Sequence, residues 1–453
     1  MRWRFIIPAL FLSVIFFLPQ LLSTPPGTFL AAKIVQMRTK TNIKIDSLHL
    51  SWMGPQKAKQ VQISSATLSA SCQEFTAYMP LWRAVQSRGL FTVTDGYLRV
   101  KSPFEEEASL KSVNARIEAS QFTATGSSQL NGQNGSFTIS GDIKAFPDTF
   151  TLQGQMSSIP TLLLDGLTSS RYQLREILGD FFSAEGSIQT SNAKTLIDIN
   201  LSSSNGQLQT KAELSGKKIR LQTPLRASFM LTPNLSRSLI KDINPLFLTA
   251  VYSNSPIKIW ISPDLFESSY DPFEIKDLRI EQGSLDMGRV SIRKGASLES
   301  VLKLLQNRNR KNQEEMDAWF TPVSFSIKNK ILQTGRLDAL LSNSIHICSW
   351  GKIHLLSEKL DMYIGLPADT LYRSFQITNL PDDYVLKIPL RGTISNPKLD
   401  TSSATAQIAS MAATQSLPIP KVGKLFEKIT KTASQIKNDK DVPPAKRPFP
   451  WER

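Results

Sequence analysis

The stretch KIRLQTPLRASFML, residues 218–231, decides the fold class. Its odd positions Ile219, Leu221, Leu225, Phe229 and Leu231 are apolar, and most of its even positions are not. Successive side chains of a strand point to opposite faces, so a period of two describes strands with one solvated and one apolar face. The same rhythm runs through Leu48, Leu50 and Trp52, through Phe137 and Ile139, and through Ile197, Ile199 and Leu201. It returns at Ile257, Ile259 and Ile261, at Val323, Phe325 and Ile327, and at Leu386, Ile388 and Leu390. Continuous apolar runs joined by crossover helices are missing, which makes the expected sheet antiparallel. A short unit, glycine, any residue, then an apolar one, recurs at Gly96, Gly135, Gly186, Gly206, Gly283, Gly335, Gly351 and Gly392. Glycine there is expected to supply turn or bulge geometry, with the next inward face opening two residues on. The spacings are irregular, so this is a loosely repeated hairpin grammar and not a strict solenoid.

The chain has 453 residues, 41% hydrophobic and 20% charged, which is folded and too long for one compact core. Two cysteines, Cys72 and Cys348, exclude a disulfide framework, a four-cysteine zinc site and an iron–sulfur cluster. Three histidines, His49, His346 and His354, leave little material for a metal centre or imidazole catalysis. Metalloprotease, hydrolase, phosphate-loop and dinucleotide-binding signatures are all absent. The expectation is a non-enzyme without cofactor or metal, with His346 and Cys348 as structural side chains. A few short helices are expected at Tyr172–Phe182, Leu298–Leu305, Leu366–Phe375 and, broken at Pro245, Leu235–Leu248. Their expected role is to cover apolar sheet edges or ends.

The net charge of +15 sits at the chain ends. Residues 1–44 carry six basic residues and no acid, and residues 418–453 carry an excess of five, which leaves +4 for the long stretch between. That distribution suits anionic lipid headgroups better than a groove tracking nucleic-acid phosphates. After Arg2 and Arg4 comes Phe5–Leu22, eighteen residues without a charge. As a helix it is about 27 Å long, enough to span a bilayer. An uncleaved anchor is the favoured reading, a cleaved signal peptide the competing one, because no small-x-small site ends the run. At the other end an Ala-, Ser- and Thr-rich linker leads into KVGKLFEKITKTASQIK. There Lys421, Lys424, Lys428 and Lys431 oppose an apolar side that includes Leu425, Phe426 and Ile429. This is a basic amphipathic helix, either at a membrane surface or docked on the body. The last residues, DVPPAKRPFPWER, are expected to form a disordered tail.

Two stretches carry a family resemblance. The first, IVQMRTKTNIKIDSLHLSWMGP at 34–55, joins a short helix over Phe29–Met37 to alternating strand residues and resembles the opening segment of AsmA-like proteins. Thr41-Asn42 stands where that family has a Thr-Gly turn. The second, IPLRGTISNPKLD at 388–400, is similar to the signature that closes AsmA-like domains, matched here by Gly392, Thr393, Ile394, Pro397 and Lys398. LDMYIGLPADTLYRSF, just before it, resembles the final strand and helix of that domain. The resemblance, which extends to TamB-like and other bridge-like lipid transfer proteins, implies a long taco-shaped sheet anchored in the inner membrane of a two-membrane envelope. Its apolar concave face would carry phospholipid acyl chains.

The expected organisation is an anchor at 1–24, a short helix and linker at 25–42, an N-terminal β-groove module at 43–250 and a C-terminal AsmA-like β module at 251–400. Residues 401–453 complete it as linker, amphipathic helix and tail. The groove-lining candidates are Ile197, Ile199, Leu201, Ile219, Leu221, Leu225, Phe229, Ile257, Ile259, Val323, Phe325, Ile327, Leu386 and Ile388. The expected function is an inner-membrane, single-pass protein with its large domain in the periplasm, binding or conducting phospholipid. An envelope or outer-membrane partner protein is possible, and nucleic acid is not a partner. The alternative is a non-enzymatic β-rich scaffold in which the same residues form an ordinary core.

Overall fold

In the computed structural model the described residues are 18–452 apart from 40, 66, 80–90, 103–105, 119, 146–147, 169–172, 237–242, 270–276, 294–295, 306–314, 379 and 417–441. The chain divides into two compact units, the first Met1–Ser204 with Lys211–Gly216, the second Asn205–Thr210 with Lys217–Arg453. The module boundary expected at residue 250 falls inside the second unit. Both units are mainly antiparallel β. Among the described residues no helix is long and apolar enough to cross a membrane. Most of the expected anchor, residues 5–17, lies outside the described residues.

Unit 1 opens with α1 (Pro25–Thr39), a little longer than the expected helix. Two three-residue strands, β1 (Asn42–Lys44) and β2 (Ser47–His49), both pair with β3 (Gln56–Ser64). From β3 onward each strand pairs with its successor: β4 (Leu68–Ala77), β5 (Phe91–Lys101), β6 (Glu107–Glu118), β7 (Gln121–Leu130), β8 (Gln133–Ala145), β9 (Thr149–Pro160), β10 (Phe181–Ser191) and β11 (Lys194–Ser203). The glycines of the recurrent unit lie within strands more often than at turns. At Gly96 the ladder to the neighbouring strand slips, which is the bulge geometry expected of it.

Two helices, α2 (Thr161–Thr168) and α3 (Gln173–Leu178), sit between β9 and β10. The expected helix Tyr172–Phe182 stops early because Phe181 and Phe182 pair with Pro160 and Ile159 and so belong to β10. Buried Asp165 on α2 caps α3 by accepting from the backbone N–H groups of Leu174 and Arg175 at 3.2 and 3.1 Å. The Arg175 guanidinium then bonds Asp180 at 2.7 Å and pairs with Glu106, which ties the helix to the β5–β6 connection. Beneath this pair Leu162, Leu163 and Leu178 pack on Val100, Ala108, Leu130, Ile159 and Phe182. The two helices, of which the sequence reading had not placed α2, therefore cover one part of the apolar sheet face.

Unit 2 is built differently. One ladder runs through the first half of β12 (Gly206–Ser215), β14 (Leu225–Phe229), β16 (Ile257–Ile261), β18 (Ile280–Asp286), β21 (Val323–Lys328), β22 (Ile331–Leu341), β23 (Ile345–His354), β24 (Lys359–Pro367), β25 (Val385–Gly392) and β26 (Pro397–Leu399). A second runs from β15 (Ala250–Ser253) through β19 (Arg289–Arg293) and β20 (Glu315–Phe320) to the far half of β22. A short pair, β13 (Lys218–Leu221) with β17 (Ser268–Ser269), stands beside them. The chain crosses between ladders at three tight connections: β15 to β16, β18 to β19 and β20 to β21. Such corners enclose a core between sheet segments. Ile257, Leu285, Val290, Ala318, Val323 and Leu337 are completely inaccessible there, and Phe247 meets Phe320 edge to face at 5.3 Å.

Of the expected helix Leu235–Leu248, the described residues form a turn at Pro233–Leu235 and a 3-10 segment at Pro245–Thr249, capped by Thr232 and Asn244, and residues 237–242 lie outside the described residues. The other two are α4 (Ala296–Leu304) and α5 (Ala368–Phe375), and Leu366 belongs to β24. The Ala-, Ser- and Thr-rich segment expected as a linker is a helix, α6 (Thr401–Ser416), begun by Asp400 accepting from Ser402 N at 3.2 Å. Alanine carries the best intrinsic helix propensity, and α6 gains further support by packing on β25 and α4. The amphipathic segment with Lys421, Lys424, Leu425, Phe426, Lys428, Ile429 and Lys431 lies outside the described residues.

The last segment corrects the expected disordered tail. Val442 packs against the Cys348, Trp350 and Val385 cluster, and Phe449 is only 2% exposed. Its prolines leave less chain entropy to lose on ordering, while Phe449 and Trp451 supply apolar area.

The family-type motif forms the β25–β26 hairpin. Gly392 pairs with Pro397, Thr393 N and Asn396 O close the turn at 3.3 Å, and Ile394 is buried. Pro397 opens the final strand. Lys398 is exposed opposite Arg391. Gly392 has φ +93°, and a Cβ there would lie 2.5 Å from Asn396 O. Gly392→Val should therefore cost about 1–3 kcal/mol through backbone strain, read as a lower melting temperature; unchanged melting would contradict this structural role.

Candidate functional site

Directly paired residues of an antiparallel ladder share a sheet face. In unit 1 the registers align one such row across ten strands: Leu48, Ala58, Phe75, Val93, Ala115, Ala124, Ile139, Gly154, Gly186 and Ile199. All ten positions are apolar or glycine. At ~4.8 Å between strands the row is about 43 Å long, against about 30 Å for the hydrocarbon core of a bilayer. Flanking rows repeat the character: Ile117, Phe122, Gly141, Leu152, Ile188 and Ile197 on one side, and Gly126, Phe137, Met156, Ala184 and Leu201 on the other. Shifting by one residue gives Arg116, Thr123, Ser140, Gln153, Ser187 and Asp198, a polar row on the opposite face.

This apolar face is only partly covered. Phe75, Val93, Ile139, Ile199 and Leu201 are half-buried, and Ile188 remains 38% exposed. The sheet also curls. At Gly135 the place of a side chain is filled from the flanking strands, with Ser158 O at 2.1 Å and Ser128 Oγ at 2.5 Å from where a Cβ would stand. Ser128 Oγ donates across β8 to Ser158 O at 3.4 Å. A larger residue at 135 would hold β7 and β9 apart.

The sequence candidates divide between two environments. Ile197, Ile199 and Leu201 lie in the half-open rows of unit 1. In unit 2, Ile257, Val323 and Ile388 are 0% exposed, and Leu386, Leu221, Phe229, Phe325 and Ile327 are buried as well. Ile219, Leu225 and Ile259 are half-buried. Most unit 2 candidates are thus core residues. The sequence reading missed the contribution of β3 to β7, where three alanines with Phe75 and Val93 carry the row with little hydropathy signal. Register alone exposes it.

It also missed a buried charged cluster in unit 2. Arg336 on β22 donates through Nε and Nη2 to Asp338 at 2.7–3.0 Å. His346 on β23 places Nε2 3.0 Å from Asp338 Oδ1 and Nδ1 3.2 Å from Asp369 Oδ1 on α5. Arg336, Asp338 and His346 are at most 8% exposed. Burial pulls the His346 pKa down, but hydrogen bonds to Asp338 and Asp369 outweigh it and raise the pKa above the ordinary value. Burial likewise opposes ionisation of Asp369, and His346 overrides it and lowers that pKa. The neighbouring Cys348 thiol is pushed up by complete burial, which removes it as a nucleophile at neutral pH. The cluster holds charge inside the unit. Asp338→Asn should destabilise unit 2 by about 3–5 kcal/mol, since it removes the partner of a buried guanidinium; chemical denaturation checks this, and a loss below about 1 kcal/mol would count against it.

No family model matches the chain, and comparison with curated proteins and with solved structures likewise gives no match.

Proposed function

We propose that unit 1 is a lipid-binding groove whose apolar face takes up phospholipid acyl chains. The observation that carries this reading is the ten-strand apolar row, in register, with Ala58, Ala115 and Ala124 buried and the other seven positions half-buried. An apolar face of that extent requires a cover, and acyl chains match it in chemistry. Binding by dispersion and the hydrophobic effect needs no catalytic set. The reading includes an inner-membrane anchor at Phe5–Leu22 with the body in the periplasm of a two-membrane envelope, and a role in envelope lipid transport or homeostasis. It is supported by the resemblance to AsmA-like proteins and by α1, whose Phe29 and Met37 are 70% and 68% exposed just after the apolar run. The inaccessible core of unit 2 favours a scaffold role for that unit, as a platform for an envelope partner protein.

Gentle purification of the full chain followed by mass spectrometry of extracted lipid tests the groove. Wild-type protein should carry phospholipid, and Ile139→Asp or Ile199→Asp should lose most of it while melting almost unchanged. Gln153→Glu on the polar face should keep it. Lipid-free wild-type protein would sink the proposal, as would full retention in both row variants. Val323→Asp is the contrast: an unpaired carboxylate in that closed core costs several kcal/mol, of the order of ~2–7 for an unsatisfied polar group and more for a charge, so it should fail to fold.

A further inference from the structure

Val442–Glu452 lies on unit 2 directly over the charged cluster. The Phe449 and Trp451 rings are stacked at 4.8 Å and stand edge to face with the His346 ring at 5.0 and 5.6 Å. Arg336 Nη1 donates to Pro443 O at 3.4 Å, and the 3-10 turn Pro450–Glu452 reaches β20. In sequence, residues 417–441 separate this segment from α6. We propose that this surface is a docking site for a proline- and aromatic-rich peptide, occupied here by the chain's own C-terminal segment, and that docking is coupled to protonation of His346.

The geometry supplies the coupling. Both ring nitrogens of His346 face carboxylate oxygens, and an ionised carboxylate only accepts hydrogen bonds. Both contacts are satisfied together only by an imidazolium, which donates from each nitrogen. With His346 charged, Arg336 and His346 balance Asp338 and Asp369. With His346 neutral, one negative charge is left unbalanced beneath the docked segment, which shields it from water. The ligand is suited to the site, because prolines at 443, 444, 448 and 450 limit the conformations lost on docking.

The remaining charged groups around His346 do not reverse this. From β22 come Asp338 and, through it, Arg336; from α5 comes Asp369, which Arg373 also favours as the anion. Cys348, two residues along β23, stays a thiol. From the docked segment, Arg447 lies over the Phe449 ring at 5.3 Å, and Glu452 accepts from Phe449 N at 2.9 Å. The sign follows from the charge balance: the docked segment covers a neutral cluster while His346 is protonated and a net-negative one once it is not. Docking is fully favoured while His346 is protonated and weakens as pH rises through its raised pKa. Each unit by which docking raises the His346 pKa makes a tenfold change in the docking constant across the window.

The test places a nitroxide on a cysteine appended after Arg453 in the full chain. Cys72→Ser removes the more accessible native thiol, and Cys348 is buried. The label should be immobile below the ordinary imidazole value of ~6.5 and gain mobility at higher pH in a one-proton transition. His346→Gln should leave it mobile throughout, with circular dichroism reporting that the sheet persists. Phe449→Ala with Trp451→Ala should free the label and, by reciprocity, lower the His346 titration midpoint read by NMR. The proposal is overturned by a pH-independent label in wild type, by an unaltered transition in His346→Gln, or by an unmoved His346 midpoint in the double variant. Immobilisation that fades on dilution would place the segment on a second copy and overturn occupancy by the same chain.

Discussion

Cross-strand register is the constraint on which the rest of the structure depends. A one-residue slip in any ladder would send that strand's apolar set to the solvated side. In unit 1 the register holds from Leu48 to Ile199, and the consequences follow in order. The row becomes continuous, a polar row runs on the opposite face from Arg116 to Asp198, and α2 with α3 finds one apolar surface on which to pack Leu162, Leu163 and Leu178. Hairpin connections keep nearly all of this pairing between neighbours in sequence, so loop closure costs little at each step.

The sequence alone carried the β class and the sidedness of the strands, because period two is a local property that Ile197, Ile199 and Leu201 display without any partner. It also carried the turn at Gly392, where backbone geometry is set by adjacent residues. It did not carry which apolar faces are closed. Ile199 and Val323 look alike in a linear pattern, yet one is half-open and the other inaccessible. The difference lies in the corners at β18–β19 and β20–β21, which depend on pairings between strands far apart in the chain. Arg336, Asp338, His346 and Asp369 were illegible as a group for a related reason. Their contact needs the β22–β23 register and the placement of α5 together. The final segment reads as disordered from its composition, and only the surface formed by β22, β23 and α5 gives Phe449 and Trp451 somewhere to go.

The same hairpin grammar therefore serves two ends. Where strands follow one another in simple order, as from β3 to β11, the apolar side stays available to something outside the chain. Where they switch ladders and are joined by α4 and α6, the chain supplies its own cover. In unit 2 the enclosure goes far enough to hold ionised groups, and a site that buries charge tolerates fewer alternative packings than a purely apolar one.

The terminal strands have a consequence of another kind. Unit 1 starts with β1 and β2, two separate three-residue pieces along β3, and the last ladder of unit 2 finishes with the three residues of β26, headed by a proline. A foreign strand approaching either place finds too few consecutive backbone donors and acceptors to template sheet growth. A chain this rich in one-sided apolar strands is at risk of amyloid-like stacking, and these interrupted margins are where its sequence guards against that outcome.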